Sequence, residues 1–170
     1  GIIKHTTSHD TPCPSEFKSE KMPTLEAQVV NLADEIAYNS HDLDDGITAG
    51  LISEKRLQKV KLWTEIRNAV KKNNPSMDEK HRKYQIIRAL INCQVTDVLE
   101  NTIKKLYETK ISSVKDVRNQ PECLVSFTDV MQTKNRSLKE FLDKNMYSHY
   151  RVIRMATKAQ RLIRELCNTY

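Results

Sequence analysis

Glycine and proline are scarce in this chain: 3 and 5 of 170 residues. Few positions can therefore supply the positive-φ turns on which compact β folds depend, and a hairpin-rich architecture is disfavoured. Aromatic residues make up 6% of the chain. They are too thinly spread to suggest a stacking platform for single-stranded nucleic acid. The four cysteines, Cys13, Cys93, Cys123 and Cys167, are far apart and include no C-x-x-C pair, which argues against thiolate metal binding and for a reducing, cytoplasmic setting. No run approaches the roughly 20 apolar residues of a membrane-spanning helix, so no membrane partner is expected. The opening residues Gly1-Ile2-Ile3-Lys4-His5 carry neither Met nor a signal-peptide pattern, and the chain is expected to be a piece of a longer one.

What the sequence does contain favours helices. Leu, Lys, Glu, Ile and Arg are plentiful, and charged residues, 29% of the chain, are interspersed as in a folded domain. The net charge of +6 suits an anionic substrate and an ordinary basic surface equally well. Residues 1–23 hold Pro12, Pro14 and Pro23 and read as an irregular loop. A helix is predicted from Thr24 to about Ser40, ended by Asp42-Leu43-Asp44-Asp45-Gly46, with a short turn over Ile47 to Leu51. Ser53 opens the next, with Leu57, Val60, Leu62, Trp63, Ile66 and Val70 as apolar positions, and Asn73-Asn74-Pro75 stops it. A long helix runs from Asp78 to Tyr107, with Ile86, Leu90, Ile91, Val95, Val98, Leu99 and Leu106 as its buried stripe. Ser113 to Val117 is a weak element, and Ser137 to Asn145 and Tyr150 to Asn168 read as two further helices. The predicted fold is an all-α helical bundle.

Thr24 to Gly46 carries the chemistry. Leu25, Val29, Leu32 and Ile36 share one helical face, and Ala27, Val30, Ala33 and Ala37 extend apolar character around the rest. Such a helix is expected to be buried. Asp34, Tyr38 and Asp42 are spaced i, i+4 and i+8, which places them in one line. An ionised carboxylate in apolar surroundings needs an ionic partner or a metal. Taken alone, Asp34 fits a solvated acid as well as a ligand, Tyr38 fits a core aromatic, and Asp42, Asp44 and Asp45 fit a turn.

The run LEAQVVNLADEIAYNSHDLDDG, residues 25–46, resembles a segment of the dGTPase-type branch of the HD phosphohydrolases, L-E-A-Q-x-x-x-x-A-D-x-I-A-Y-x-x-H-D-x-D-D. FLDKNMYSHYRVIRMATKAQ, residues 141–160, is similar to that branch's N-x-Y-x-H-x-x-V segment. HRKYQIIRALINCQVTDVLENT, residues 81–102, has the same character. The resemblance covers most of the chain from Thr24 onward and is far more specific than a short motif.

It implies a metal-dependent enzyme that hydrolyses a deoxynucleoside triphosphate to deoxynucleoside and intact triphosphate. The chain would be its C-terminal part and inactive alone, with 24–110 completing the catalytic domain and 111–170 forming a C-terminal helical region. Asp34 matches the family's final metal ligand, and the preceding His and His-Asp ligands would lie upstream of Gly1. The metal, Mg or Mn, would act as Lewis acid and template. Tyr38 and Asp42 match positions near the triphosphate and sugar. The dipeptides His41-Asp42 and His9-Asp10 are not read as the metal pair: the first comes after Asp34, and the second sits in the Pro-rich loop. His41 nevertheless lies where a substrate contact is expected. Arg82 and Tyr84 fall where relatives contact phosphate and nucleotide, and a surface arginine with a half-buried tyrosine fits them equally well. Glu35 departs from the family, which has a basic residue there in some members; direct phosphate contact at that position is not expected.

On the last helix Arg151, Arg154, Lys158 and Arg161 form a basic stripe opposite Val152, Met155, Ala159, Leu162 and Leu166. A solvated face is the favoured reading over nucleic-acid binding. Its amphipathic character also suits a homo-oligomer interface. Two other functions compete with the triphosphohydrolase: a helical regulatory or assembly module without chemistry, and an HD phosphohydrolase acting on another phosphate ester.

Overall fold

The computed structural model describes residues 22–170. The loop expected over 1–23 lies outside the described residues except for Met22 and Pro23, and with it His9-Asp10 and Cys13. Among the described residues every regular element is helical, as expected of an all-α bundle: α1 (Leu25–Thr48), α2 (Glu54–Leu57), α3 (Lys61–Asn73), α4 (Glu79–Thr109), α5 (Val114–Arg118), α6 (Asp129–Leu142), a π-helical turn (Asp143–Tyr147) and α7 (Tyr150–Thr169). None is long and apolar enough to cross a membrane.

The core is built where α1, α3, α4 and α6 pack together. Trp63, Leu43, Leu57, Leu62, Ile86, Leu90, Leu138 and Leu142 are fully buried, and all belong to one cluster. Buried polar side chains tie the elements around it. Gln28 of α1 accepts from the Leu124 and Val125 amides at 2.9 and 3.1 Å and donates to the Pro23 carbonyl at 2.9 Å. Gln94 of α4 donates to Asn135 of α6 at 2.9 Å. Asp97 of α4 receives the Thr128 amide and hydroxyl at 2.8 and 2.7 Å, and Thr128 in turn caps α6 through the Met131 amide at 3.3 Å. A buried polar group is tolerated only when bonded in this way.

Several local expectations are corrected. α1 does not end near Ser40 but continues through the acidic cluster to Thr48. Leu43 in that stretch is fully buried, and Gly46 lets Ile52 come so close that a Cβ would stand 2.6 Å from Ile52 Cδ1. Burial of Leu43 and the close packing of Gly46 on Ile52 outweigh the turn preference of the aspartates and glycine. The turn comes instead at Gly50, whose φ of +66° favours glycine. The helix opened by Ser53 is divided into α2 and α3, because the chain bends over residues 58–60 to bury both Leu57 and Val60. α6 starts at Asp129, well before Ser137, since its cap is fixed by Asp97 of a distant helix. With no glycine at hand, α4 ends on Lys110 in the left-handed region, φ 51°, a conformation that costs a non-glycine residue about 1 kcal/mol.

α1 is not buried all round. Val29, Val30, Ala33 and Ala37 are exposed, as are Val95 and Leu99 of the predicted α4 stripe. Val29, Leu32, Ala33 and Ile36 line an apolar groove together with Val95, Val98 and Leu99. α7 differs more sharply still: none of its residues is buried. Only its first half approaches the bundle, where Val152, Met155, Ala156 and Ala159 face Ala49 and Leu51 across an open depression.

Candidate functional site

The outer face of α1 displays Asp34, Tyr38 and Asp42 in the line that their spacing predicts. Asp34 is exposed, Tyr38 is 44% exposed and Asp42 is half-buried. At a rise of about 1.5 Å per residue, Asp34 and Asp42 stand roughly 12 Å apart along the helix.

Asp42 is held from the far end of the chain. The Tyr147 hydroxyl donates to Asp42 Oδ2, and the Tyr147 ring lies 5.9 Å from the Tyr38 ring, tilted by 34°. The Tyr38 hydroxyl is within hydrogen-bonding range of both Tyr147 and Asp42. Burial raises the Tyr38 pKa above its ordinary value; the bond with Tyr147 works against this, and the charges of Asp42 and Asp143 add to it. For Tyr147, burial, the bond to Asp42 and the bond with Tyr38 all act to push the phenol well above its ordinary value. Both hydroxyls therefore remain protonated donors around a carboxylate at neutral pH. The π-helical turn delivers Tyr147 to this position, and its neighbour Met146 packs against Gly46, with Sδ 3.3 Å from where a Cβ would be.

Next along α1, Asp44 forms an ion pair with Lys83 Nζ at 2.6 Å, and the same ammonium donates to Thr48 Oγ1 at 2.8 Å. It also lies 4.5 Å from the Tyr84 ring centroid, a cation–π distance. The first turn of α4 is thus locked to the last turns of α1, and half-exposed Tyr84 sits beside that junction. Arg82 is half-buried and donates a guanidinium N–H to the Met77 carbonyl; its Nε finds no partner among the described residues. His41 is exposed. The structure thus joins Tyr38 to Asp42 and places Tyr84 beside the Asp44–Lys83 pair, while Arg82 is engaged with its own N-terminal loop.

Two contributors are not evident from sequence. Tyr147 stands out there only as a thin stacking candidate near the basic stripe, although it belongs to the N-x-Y-x-H segment that carries part of the resemblance. Lys83 lies between the two α4 candidates, and nothing in its local pattern signals the tie to α1. Glu35 is explained by its partners: it accepts from Asn135 at 2.7 Å and faces Lys139 at 3.6 Å, both on α6. An acid there serves the α1–α6 contact.

Among the described residues no group of three or more His, Cys, Asp or Glu side chains is placed to hold a metal ion. Asp34 offers one exposed carboxylate. That is suitable as one vertex of a shell around a hard divalent cation and insufficient as a site by itself.

Residues 125–170 match the phosphohydrolase-associated domain family. Along the whole chain there is similarity to proteins named deoxyguanosinetriphosphate triphosphohydrolase-like: 40% identity over 172 residues in Geobacter metallireducens, 41% over 172 in Geobacter sulfurreducens and 37% over 174 in Ralstonia nicotianae. Each alignment takes in 100% of this chain and 45% of the relative, so the chain spans a little under half the length of the curated relatives it matches. The helical architecture and the last helices define a phosphohydrolase-associated all-α protein. More particularly, the chain is a homologue of the deoxyguanosinetriphosphate triphosphohydrolase-like proteins over its full 170 residues.

Proposed function

We propose that this chain forms part of a divalent-metal-dependent deoxynucleoside-triphosphate triphosphohydrolase, which hydrolyses its substrate to deoxynucleoside and intact triphosphate. The observation that carries the reading is the line of Asp34, Tyr38 and Asp42 on the accessible face of α1, in a chain that aligns end to end with proteins named for this activity. Asp34 supplies one carboxylate ligand to Mg or Mn, and polypeptide outside the described residues supplies the others. When bound, the metal polarises phosphate oxygens and lowers the pKa of a coordinated water.

The remaining residues bind and orient. Asp42 carries a negative charge and cannot approach the triphosphate without repulsion. Ringed by the two phenols of Tyr38 and Tyr147, it suits the neutral, hydroxyl-bearing sugar. Arg82 directs one of its five N–H donors to Met77, which leaves others for a phosphate oxygen. Tyr84 and His41 complete the proposed contacts at the rim. Residues 24–110 contribute to the catalytic domain and 111–170 form a helical region behind it. The two meet at Asp42 and Tyr147.

Triphosphate release from each of the four dNTPs, assayed in the full-length polypeptide with Mg or Mn and again with chelator, tests the reading. Metal-dependent release from at least one dNTP is expected, and none from the 170-residue chain alone, since one carboxylate does not hold the ion. Bare apolar α7 favours a second reading, an assembly module. Self-association of the full-length polypeptide without hydrolysis of any dNTP would support that instead.

A further inference from the structure

We propose that Tyr147 is a positioning residue for the nucleotide site: its hydroxyl fixes the Asp42 carboxylate beside Tyr38 so that one oxygen remains for the substrate. This inference rests on the triphosphohydrolase reading. The geometry supports it in three ways. Tyr147 donates to Oδ2 of Asp42 across 105 positions of sequence, so the contact is a product of the fold rather than of local helix geometry. Its ring packs on Tyr38, which aligns the second phenol with the same carboxylate. The chain at this point forms a π-helical turn, and such turns are rare and often found at functional sites.

An Asp on a helix surface samples several rotamers in water. With Oδ2 engaged by Tyr147, the side chain is restricted and Oδ1 becomes the oxygen available to a substrate hydroxyl. Orientation set in advance lowers the entropy lost on binding. Burial keeps Tyr147 protonated, so the donor persists across the neutral range. Tyr147 touches no reacting atom in this scheme and acts through Asp42.

Tyr147→Phe isolates the hydroxyl while keeping the ring against Tyr38. In the full-length enzyme it is expected to raise KM for the dNTP about tenfold, with kcat within about twofold of wild type, as for loss of binding shared by ground and transition states. A purely structural role would lower kcat per mole of enzyme together with the melting temperature and leave KM in place. That result, or an unchanged KM, overturns the proposal. An independent readout covers the case in which the wild type hydrolyses no dNTP and the activity reading fails. Selective ¹³C labelling of aspartate, with Asp42→Asn for assignment, reports whether Asp42 holds one side-chain rotamer in the wild type. Averaging in Tyr147→Phe supports the positioning role. An equally ordered Asp42 in both proteins refutes it.

Discussion

α6 and α7 are consecutive amphipathic helices joined by a single π-helical turn, yet they end in opposite environments. α6 buries Met131, Asn135, Leu138 and Leu142 against α1, α3 and α4. α7 carries an apolar stripe as regular as that of α6, and Met155, Leu162 and Leu166 on it are 60%, 46% and 58% exposed. Amphipathic periodicity shows that a face is suited to burial. It does not show that the same chain provides the cover. The difference lies in ties that no local pattern contains. α6 is capped through Asp97, bonded to Gln94 and ion-paired with Glu35 and Glu65, whereas α7 approaches the bundle only along the open depression beside its first half.

The largest test of that contrast is a matched pair of truncations. Leu138→Ala in α6 should cost about 3 kcal/mol in urea denaturation, as for a buried leucine in a packed core. Leu162→Ala in α7 should cost less than about 0.5 kcal/mol. Similar losses at the two sites would mean that α7 is covered in the intact protein. Gln28→Leu comes next. It leaves the Leu124 and Val125 amides without their acceptor at the segment that leads into α6, and a loss of about 2 kcal/mol is expected for the buried unsatisfied donors. The smallest effect separates two ion pairs. Lys134→Met, which breaks the 2.5 Å contact to Glu65 on α3, should cost up to about 1 kcal/mol, and less in high salt. Arg161→Ala, which breaks the exposed 3.2 Å pair with Glu165 inside α7, should be at the limit of detection in the same assay.

Much of the bundle was legible in the sequence. The boundaries of α4 and α7 are set by caps and a sustained apolar period, and the line of Asp34, Tyr38 and Asp42 is set by spacing alone. The errors share one cause. Whether the aspartates after Ser40 end α1, whether Val95 and Leu99 are covered, and where α6 begins are all decided by contacts with distant residues: Leu43 in the core, the groove between α1 and α4, and the Asp97–Thr128 cap. The site divides in the same way. Asp34 and Asp42 were visible through the resemblance. Tyr147 and Lys83 act through partners 105 and 39 positions away (83 − 44 for the latter) and leave no periodic trace.

The central claim is that α1 presents the metal-ligating acid of a triphosphohydrolase, and Asp34→Ala tests it most directly. The full-length wild-type polypeptide should release triphosphate in Mg or Mn, and the variant should lose about a hundredfold or more of that rate. Because Asp34 is exposed, the variant should stay within about 1 kcal/mol of wild-type stability. A wild-type rate in Asp34→Ala would contradict the account.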